Sequence, residues 1–139
     1  MLKFNKKVEY ALIALQHMSN KQVGELTTAR ELSERYNISL ELMGKILQRL
    51  MHNKFIASIQ GVKGGYFLTK PPDKISVRSV INAIEGSIAV ADCLGPSGCP
   101  DKERERNCEI KYSMKKIQSD MMGLLENYSL LDFKLSLGK

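Results

Sequence analysis

The stretch Phe55-Ile-Ala-Ser-Ile-Gln-Gly-Val-Lys-Gly-Gly-Tyr-Phe-Leu-Thr69 contains two short apolar runs on either side of a glycine-rich turn. The runs 55–60 and 66–69 are rich in β-branched and aromatic residues, which is typical of strands. The turn 61–65 holds three glycines, and Pro71-Pro72 stops the second run. Because proline cannot donate a ladder hydrogen bond, the second strand must end there. The stretch therefore predicts a β-hairpin.

Three amphipathic helices are predicted before the hairpin. Asn5 can cap the first helix, and the capping box Thr28-Ala-Arg-Glu31 marks the start of the second, with Glu31 reaching back to its first turn. Ser39 can cap the third helix, which runs to about Asn53. Two helices joined by a tight turn and followed directly by a hairpin are typical of a winged helix-turn-helix. The fold class is predicted to be mainly α with a small β-hairpin wing.

The positive charge is concentrated in the first half of the chain. Of the 139 residues, 21 are Lys or Arg and 15 are Asp or Glu, which gives a net charge of +6. Residues 1–75 carry twelve basic and six acidic side chains, whereas residues 76–139 carry nine of each. The asymmetry indicates a polyanion-binding module followed by a neutral one, although a generic basic surface would give the same count.

A helix-turn-helix presents the start of its second helix to the DNA major groove. At that position Ser39 and Glu41 could bond base edges or a phosphate, Gly44 leaves room, and Lys45 could reach guanine or a phosphate. Arg49 lies further along, where a phosphate contact is expected. The hairpin would bring its tip to the minor groove. Each residue could instead be simply solvent-exposed. The predicted DNA-binding residues are Ser39, Glu41, Lys45, Arg49, Gln60 and Lys63.

The C-terminal part predicts a dimer. A short helix within the connecting segment 76–92 ends at Gly86, and a heptad stripe of apolar residues begins at Ile110. A single long helix of this kind is too large to bury its stripe on so small a domain, so pairing with a second chain is expected, with folding back on its own subunit as the alternative. The predicted units are 1–75 (DNA binding), 76–92 (connecting helix), 93–108 (cysteine loop) and 109–139 (dimerisation helix and tail). The stripe residues are Ile110, Met114, Ile117, Met121, Leu124, Tyr128 and Leu131.

All three cysteines lie in one segment, in the spacing C-x5-C-x8-C. Its glycines and prolines (Gly95, Pro96, Gly98 and Pro100) predict an irregular, solvated loop over 93–108. An odd number of cysteines argues against a closed disulfide framework, and clustered thiols in a reducing compartment favour metal ligation or redox chemistry. The CxxC pairs that are typical of zinc sites are missing.

Other function classes receive little support. No apolar run approaches the length needed to span a bilayer, and the N-terminus leads directly into a helical pattern, so a cytoplasmic protein without membrane contact is expected. The chain has no recognisable catalytic Ser/His/Asp set and no phosphate loop, so an enzyme is not expected.

Several of these segments together resemble the Rrf-two (Rrf2) family, the bacterial winged-helix group that includes the regulators IscR, NsrR and RirA. The resemblance rests on Glu9-Tyr-Ala-Leu12, on the residues around Ile38-Ser39-Leu40, on the wing Gly61–Leu68 and on Ile75–Gly86, followed by three cysteines. It implies a homodimeric transcription regulator that binds a palindromic operator in double-stranded DNA. It further implies that Cys93, Cys99 and Cys108 bind an iron–sulfur cluster, 2Fe-2S or 4Fe-4S, that reports iron, redox state or nitric oxide.

The chain departs from the family pattern at two positions. Eight residues separate Cys99 from Cys108, where about five are usual, and Lys111 stands where some members have a ligating histidine. The resemblance implies Glu9, contributed by the other subunit, as a fourth ligand; the alternative is a solvated acid at the start of the first helix. A thiol redox switch that binds no cluster remains the alternative function.

Overall fold

A computed structural model describes residues 3–86, 89–95 and 97–137 of the chain. These residues form a mainly helical fold with one two-stranded antiparallel sheet. Single 3-10 turns lie at Pro72–Lys74 and Asp92–Leu94. The helices and strands are α1 (Lys6–Ser19), α2 (Ala29–Tyr36), α3 (Leu40–His52), β1 (Ile56–Ile59), β2 (Gly65–Leu68), α4 (Val77–Glu85), α5 (Lys102–Asn107), α6 (Lys111–Asn127) and α7 (Leu130–Leu137).

The predicted helix starts are confirmed. The side chains of Asn5, Thr28 and Ser39 accept hydrogen bonds from backbone N–H groups in the first turns of α1, α2 and α3. Each cap satisfies a donor that would otherwise have no partner within the helix. The prediction for Glu31, the other residue of the capping box in α2, is wrong. Glu31 does not reach back to Thr28 but bonds His17 and Lys21.

One hydrophobic core joins the helices. Leu15 of α1, Leu47 of α3 and Val80 of α4 are fully buried in it. Leu130, the first residue of α7, is 1% exposed and belongs to the same core. The C-terminal part therefore shares one core with α1, α3 and α4.

The hairpin forms as predicted and is attached to the helices. β1 pairs with β2 from Ile56 opposite Leu68 to Ile59 opposite Gly65. Thr27, just before α2, exchanges two backbone hydrogen bonds with Tyr66 of β2, with N···O distances of 2.9 and 2.7 Å. This bridge fixes the wing against the start of the helix-turn-helix.

The prediction of one unbroken C-terminal helix is wrong. α6 ends at Asn127, and Tyr128 adopts an extended conformation. The carbonyl oxygen of Tyr128 accepts a hydrogen bond from the N–H of Val77 at 2.8 Å, and the N–H of Leu130 donates to the carbonyl oxygen of Ile75 at 3.1 Å. These two bonds turn the chain back onto the core, so Leu131 lies on α7 and does not continue the stripe of α6.

The prediction that residues 93–108 form no regular structure is also wrong. Lys102–Asn107 forms the short helix α5, and the carboxylate of Asp101 caps it by accepting from the N–H groups of Glu103 and Arg104 at 3.0 and 3.1 Å. Six helical residues rise about 9 Å, whereas the same six residues fully extended would span about 20 Å. The helix therefore shortens the long interval between Cys99 and Cys108.

Candidate nucleic-acid interface and cysteine segment

The first turns of α3 present three of the predicted DNA-binding residues to solvent. Ser39, Glu41 and Lys45 are exposed. Lys45 Nζ lies 3.5 Å from Glu41 Oε1, with side chains 71% and 82% exposed, so the pair is weak and leaves both groups free for another partner. A Cβ atom built at Gly44 would have no atom within 4 Å apart from its chain neighbours and the backbone of its own helix. This face of α3 is therefore open along its first two turns.

Ser39 has a second role as the helix cap. Its Oγ accepts from the N–H of Leu42 at 3.3 Å, which leaves the hydroxyl hydrogen free to donate. A DNA phosphate or a base acceptor could take that hydrogen without breaking the cap.

Arg49 is already engaged within the protein. Its Nε donates to the carbonyl oxygen of Ala83 at 2.9 Å, and Nη2 lies 3.5 Å from the carbonyl oxygen of Ile84. Both acceptors belong to the last turn of α4. The side chain predicted to contact a phosphate is thus a link between two helices.

A further basic residue joins this region. Lys7 lines a groove of about 230 Å³ together with Lys45 and Arg49, between the start of α1, α3 and the end of α4. The sequence contained a signal for it, because cations are unfavourable at a helix N-terminus and Lys6-Lys7 follow directly after the cap Asn5. Sequence reasoning missed Lys7, since nothing in the spacing places α1 beside α3.

The wing carries the remaining predicted DNA-binding residues. Gln60 and Lys63 are exposed at the turn between β1 and β2, and Val62 between them is fully exposed. Gly64 allows the turn to close: a Cβ atom built there would lie 2.1 Å from the carbonyl oxygen of Ile59. A tight, exposed turn with one cation suits close approach to a nucleic-acid backbone.

A polar cluster holds α2 against α1. His17 contacts the hydroxyl oxygen of Tyr36 at 2.9 Å through Nδ1 and Glu31 Oε2 at 2.6 Å through Nε2, and Lys21 Nζ lies 2.7 Å from the same carboxylate oxygen. Burial raises the pKa of Glu31, but the hydrogen bonds from Lys21 and His17 outweigh it and hold that pKa below its ordinary value. The cluster fixes the angle of the first helix of the helix-turn-helix.

The three cysteines lie in different local environments. Cys93 lies in a 3-10 turn and is half-buried. Cys99 is 6% exposed, and its thiol donates to the carbonyl oxygen of Asp101 at 3.2 Å. Cys108 is half-buried and ends α5. All three are free thiols.

Lys111 forms an ion pair with Glu105 of the cysteine segment. Its ammonium lies 2.8 Å from Glu105 Oε1, and the hydrogen bond and charge of Glu105 raise the pKa of Lys111, with smaller contributions from Cys93 and Cys99. The same hydrogen bond from Lys111, with a second from Lys102, lowers the pKa of Glu105. This ion pair links α5, which lies within the cysteine segment, to the first residue of α6.

The predicted ligands are not assembled into one site. Within residues 3–86, 89–95 and 97–137, no group of three His, Cys, Asp or Glu side chains is positioned to hold a metal ion. Glu9 is exposed near the start of α1. The donor types suit an iron–sulfur cluster, but their arrangement in the single chain does not.

A helix-turn-helix with an open second helix, a hairpin wing and a basic groove beside it defines a winged-helix DNA-binding protein. Over the described residues, no helix has the length and apolar character needed to cross a membrane.

Comparison with a family model narrows this class. Residues 4–134 match the Rrf2 model, described as "Iron-dependent Transcriptional regulator". The chain therefore belongs to the Rrf2 family, and it is a DNA-binding transcription regulator rather than an enzyme. The resemblance predicted from the sequence is confirmed.

Named relatives agree with this assignment. The transcriptional regulator IscR of Serratia proteamaculans is 30% identical over 132 residues, which cover 94% of this chain and 78% of that protein. Two solved structures share the fold. CymR of B. subtilis, titled a global cysteine regulator, superimposes with a TM-score of 0.76 at 23% identity and covers 96% of each chain. IscR of T. potens gives a TM-score of 0.72 at 19% identity and covers 98% of this chain and 88% of that one.

Proposed function

We propose that this protein is a homodimeric regulator that binds a palindromic operator in the bacterial cytoplasm, and that the chemical state of Cys93, Cys99 and Cys108 controls its DNA affinity. Cluster sensing is the favoured form of this control. The observation that carries the proposal is the presence of three free thiols, Cys93, Cys99 and Cys108, in one segment of a chain that matches a family model described as an iron-dependent transcriptional regulator. Cysteine thiolates are the ligands that iron–sulfur clusters require.

The DNA-binding role is assigned to two surfaces. Ser39, Glu41 and Lys45 on α3 would read the major groove, and Gln60 and Lys63 on the wing would approach the minor groove. Lys7 adds a phosphate contact beside Lys45. The exposure of all six side chains supports this assignment.

The dimer is supported by the apolar face of α6. Ile110, Ile117 and Leu124 are 62%, 47% and 56% exposed and lie on one side of the helix, beside the face that packs on α4. A second copy of the same helix would cover them. Two copies would also present two recognition helices to the two half-sites of a palindrome.

A cluster-free thiol switch is the second candidate. It is favoured by the lack of an assembled three-ligand group among the described residues and by the three free thiols in one segment. Cluster binding would require the segment 93–108 to rearrange or a residue of the second subunit, such as Glu9, to complete the ligand set.

The test is purification under strict anaerobiosis, followed by an absorption spectrum and by iron and acid-labile sulfide counts. We expect broad visible absorbance and sulfide in the wild type and their loss in Cys108→Ala. Because Glu9 would supply the fourth ligand, Glu9→Ala is expected to give a less stable cluster.

Colourless wild-type protein with free thiols, whose operator affinity changes on peroxide treatment, would replace the cluster with the thiol switch. If neither loss of the cluster nor peroxide treatment changed the operator affinity, cysteine control would be refuted altogether. Cys108→Ser serves as the matched control for side-chain volume.

A further inference from the structure

We propose that Arg49 is a positioning residue, which fastens the recognition helix α3 to the C-terminal end of α4 and so passes changes in the cysteine segment 93–108 to the DNA-binding surface. This inference rests on the proposed function, because it names the route by which the cysteines act. It also reassigns Arg49, which the sequence predicted to be a phosphate contact.

The last turn of α4 supplies the acceptors. The N–H of Gly86 bonds the carbonyl oxygen of Asn82 at 2.9 Å and closes the helix. The next two carbonyl groups, of Ala83 and Ile84, lie past the point where the helix can supply a donor. Arg49 donates to the first at 2.9 Å and lies 3.5 Å from the second. A guanidinium is favoured there by charge as well, since the C-terminal end of a helix is partly negative.

The same end of α4 is tied to α1. Asn5, whose Oδ1 caps α1, donates through Nδ2 to the carboxylate of Glu85, the last residue of α4. The end of α4 is therefore attached to α3 through Arg49 and to α1 through Asn5. Helices α1 and α3 both line the basic groove that contains Lys7 and Lys45.

The cysteine segment begins just beyond this junction. Cys93 is nine residues after Ile84 in the sequence. Gly86, with a φ of +85°, redirects the chain directly after α4, and the N–H of Val90 bonds the side chain of Gln118 on α6 at 3.0 Å. A rearrangement of 93–108 would therefore act through the chain on Val90, which is bonded to α6, and on the end of α4.

Arg49 is exposed, but its hydrogen bonds to α4 leave only part of the guanidinium for a phosphate. Nε and one terminal nitrogen face carbonyl oxygens of α4, so one edge of the guanidinium fork is occupied. Lys45, one turn earlier on α3, has a side chain that is 71% exposed and bonded only weakly to Glu41. Lys45 thus has the freedom that a phosphate contact needs, which makes it the matched control.

The experiment compares Arg49→Gln, Arg49→Lys and Lys45→Gln with the wild type on a duplex selected by wild-type protein from random-sequence DNA. The first readout is the salt dependence of binding. Loss of one phosphate contact lowers the slope of log affinity against log salt by about one unit. We expect that loss in Lys45→Gln and an unchanged slope in Arg49→Gln.

The second readout is the ratio of DNA affinities between the two cysteine states, cluster-loaded against chelator-treated or, for a thiol switch, reduced against peroxide-treated. We expect the ratio to approach one in Arg49→Gln and to stay at the wild-type value in Lys45→Gln. Arg49→Lys keeps the positive charge but not the forked guanidinium, so its affinity ratio should also fall most of the way to one. Circular dichroism should show that this variant folds normally.

A slope that falls in Arg49→Gln as it does in Lys45→Gln, or a ratio retained in both Arg49 variants, would overturn the positioning role. If the wild-type protein bound DNA equally well in the two cysteine states, the proposed cysteine control would be refuted, and the coupling through Arg49 with it. The two failures are distinguishable, because the second is decided on the wild type alone.

Discussion

Single polar side chains in this protein orient helices. Glu31 accepts hydrogen bonds from His17 and Lys21, although its position in a capping box predicted a bond to its own helix. His17 on α1 and Lys21, two residues beyond its end, offer the carboxylate more than one backbone N–H would. The bond it makes therefore joins α2 to α1 instead of stabilising α2 alone.

The pKa of Glu31 leads to a pH-dependent prediction. Its ordinary value is 4.5 and the folded value is lower, so the carboxylate contributes stability above about pH 4.5, and this contribution disappears as the pH falls through the folded pKa. Glu31→Gln should reduce the free energy of unfolding by about 1 kcal/mol or less at pH 7. Urea unfolding at pH 7, 5.5 and 4 should show the difference from wild type narrowing only at the lowest pH.

Thr28→Ala is the control for this experiment. It removes the cap of the same helix without removing a titratable group, so its cost of about 1 kcal/mol should be similar at every pH. If the cost of Glu31→Gln were equally constant, the ion-pair explanation would be wrong.

At the scale of elements, the break between α6 and α7 has the largest structural effect. A continuous helix would carry Leu130 away from the core, whereas the turn at Tyr128 buries it beside Ile75. Leu131 next to it is 39% exposed. The two adjacent leucines therefore provide an internal comparison.

Leu130→Ala should lower the free energy of unfolding by about 2–5 kcal/mol, since it leaves a cavity in the shared core. Leu131→Ala should change it by less than about 1 kcal/mol, as is usual for exposed positions. Equilibrium urea unfolding of both variants measures the difference. Equal effects would mean that α7 does not pack on the core as described.

At the scale of the whole molecule, α6 presents an apolar face that the described part of the chain does not cover. On one face of α6, Leu125 packs against the core and Gln118 accepts a hydrogen bond from Val90, while Ile117 and Leu124 lie beside this face in solvent. A second copy of the chain would cover this apolar face and form the proposed homodimer.

Ile117→Glu should convert the proposed dimer to a monomer, because two carboxylates would be buried against apolar surface. Sedimentation velocity should show the change in mass, and the operator affinity should fall because only one half-site can be bound at a time. Ser119→Glu, an exposed polar position on another side of α6, should leave the mass unchanged. A wild-type monomer, or a dimer that survives Ile117→Glu, would contradict this interface.

Much of the fold could be predicted from local signals. The caps at Asn5, Thr28 and Ser39 act within one helical turn, and the glycines of the wing act within one hairpin, so the printed order of residues determines them. The three cysteines and the basic first half likewise point to sensing and DNA binding without any tertiary information.

What the tertiary structure decided depends on contacts between segments far apart in the chain. Arg49 is attached to α4 because Ala83 and Ile84, more than thirty residues later, present carbonyl groups beside it. α7 separates from α6 because Ile75 and Val77 offer backbone partners to the turn. The local periodicity of the sequence does not predict these pairings, because they depend on burial and hydrogen-bond satisfaction across the whole core.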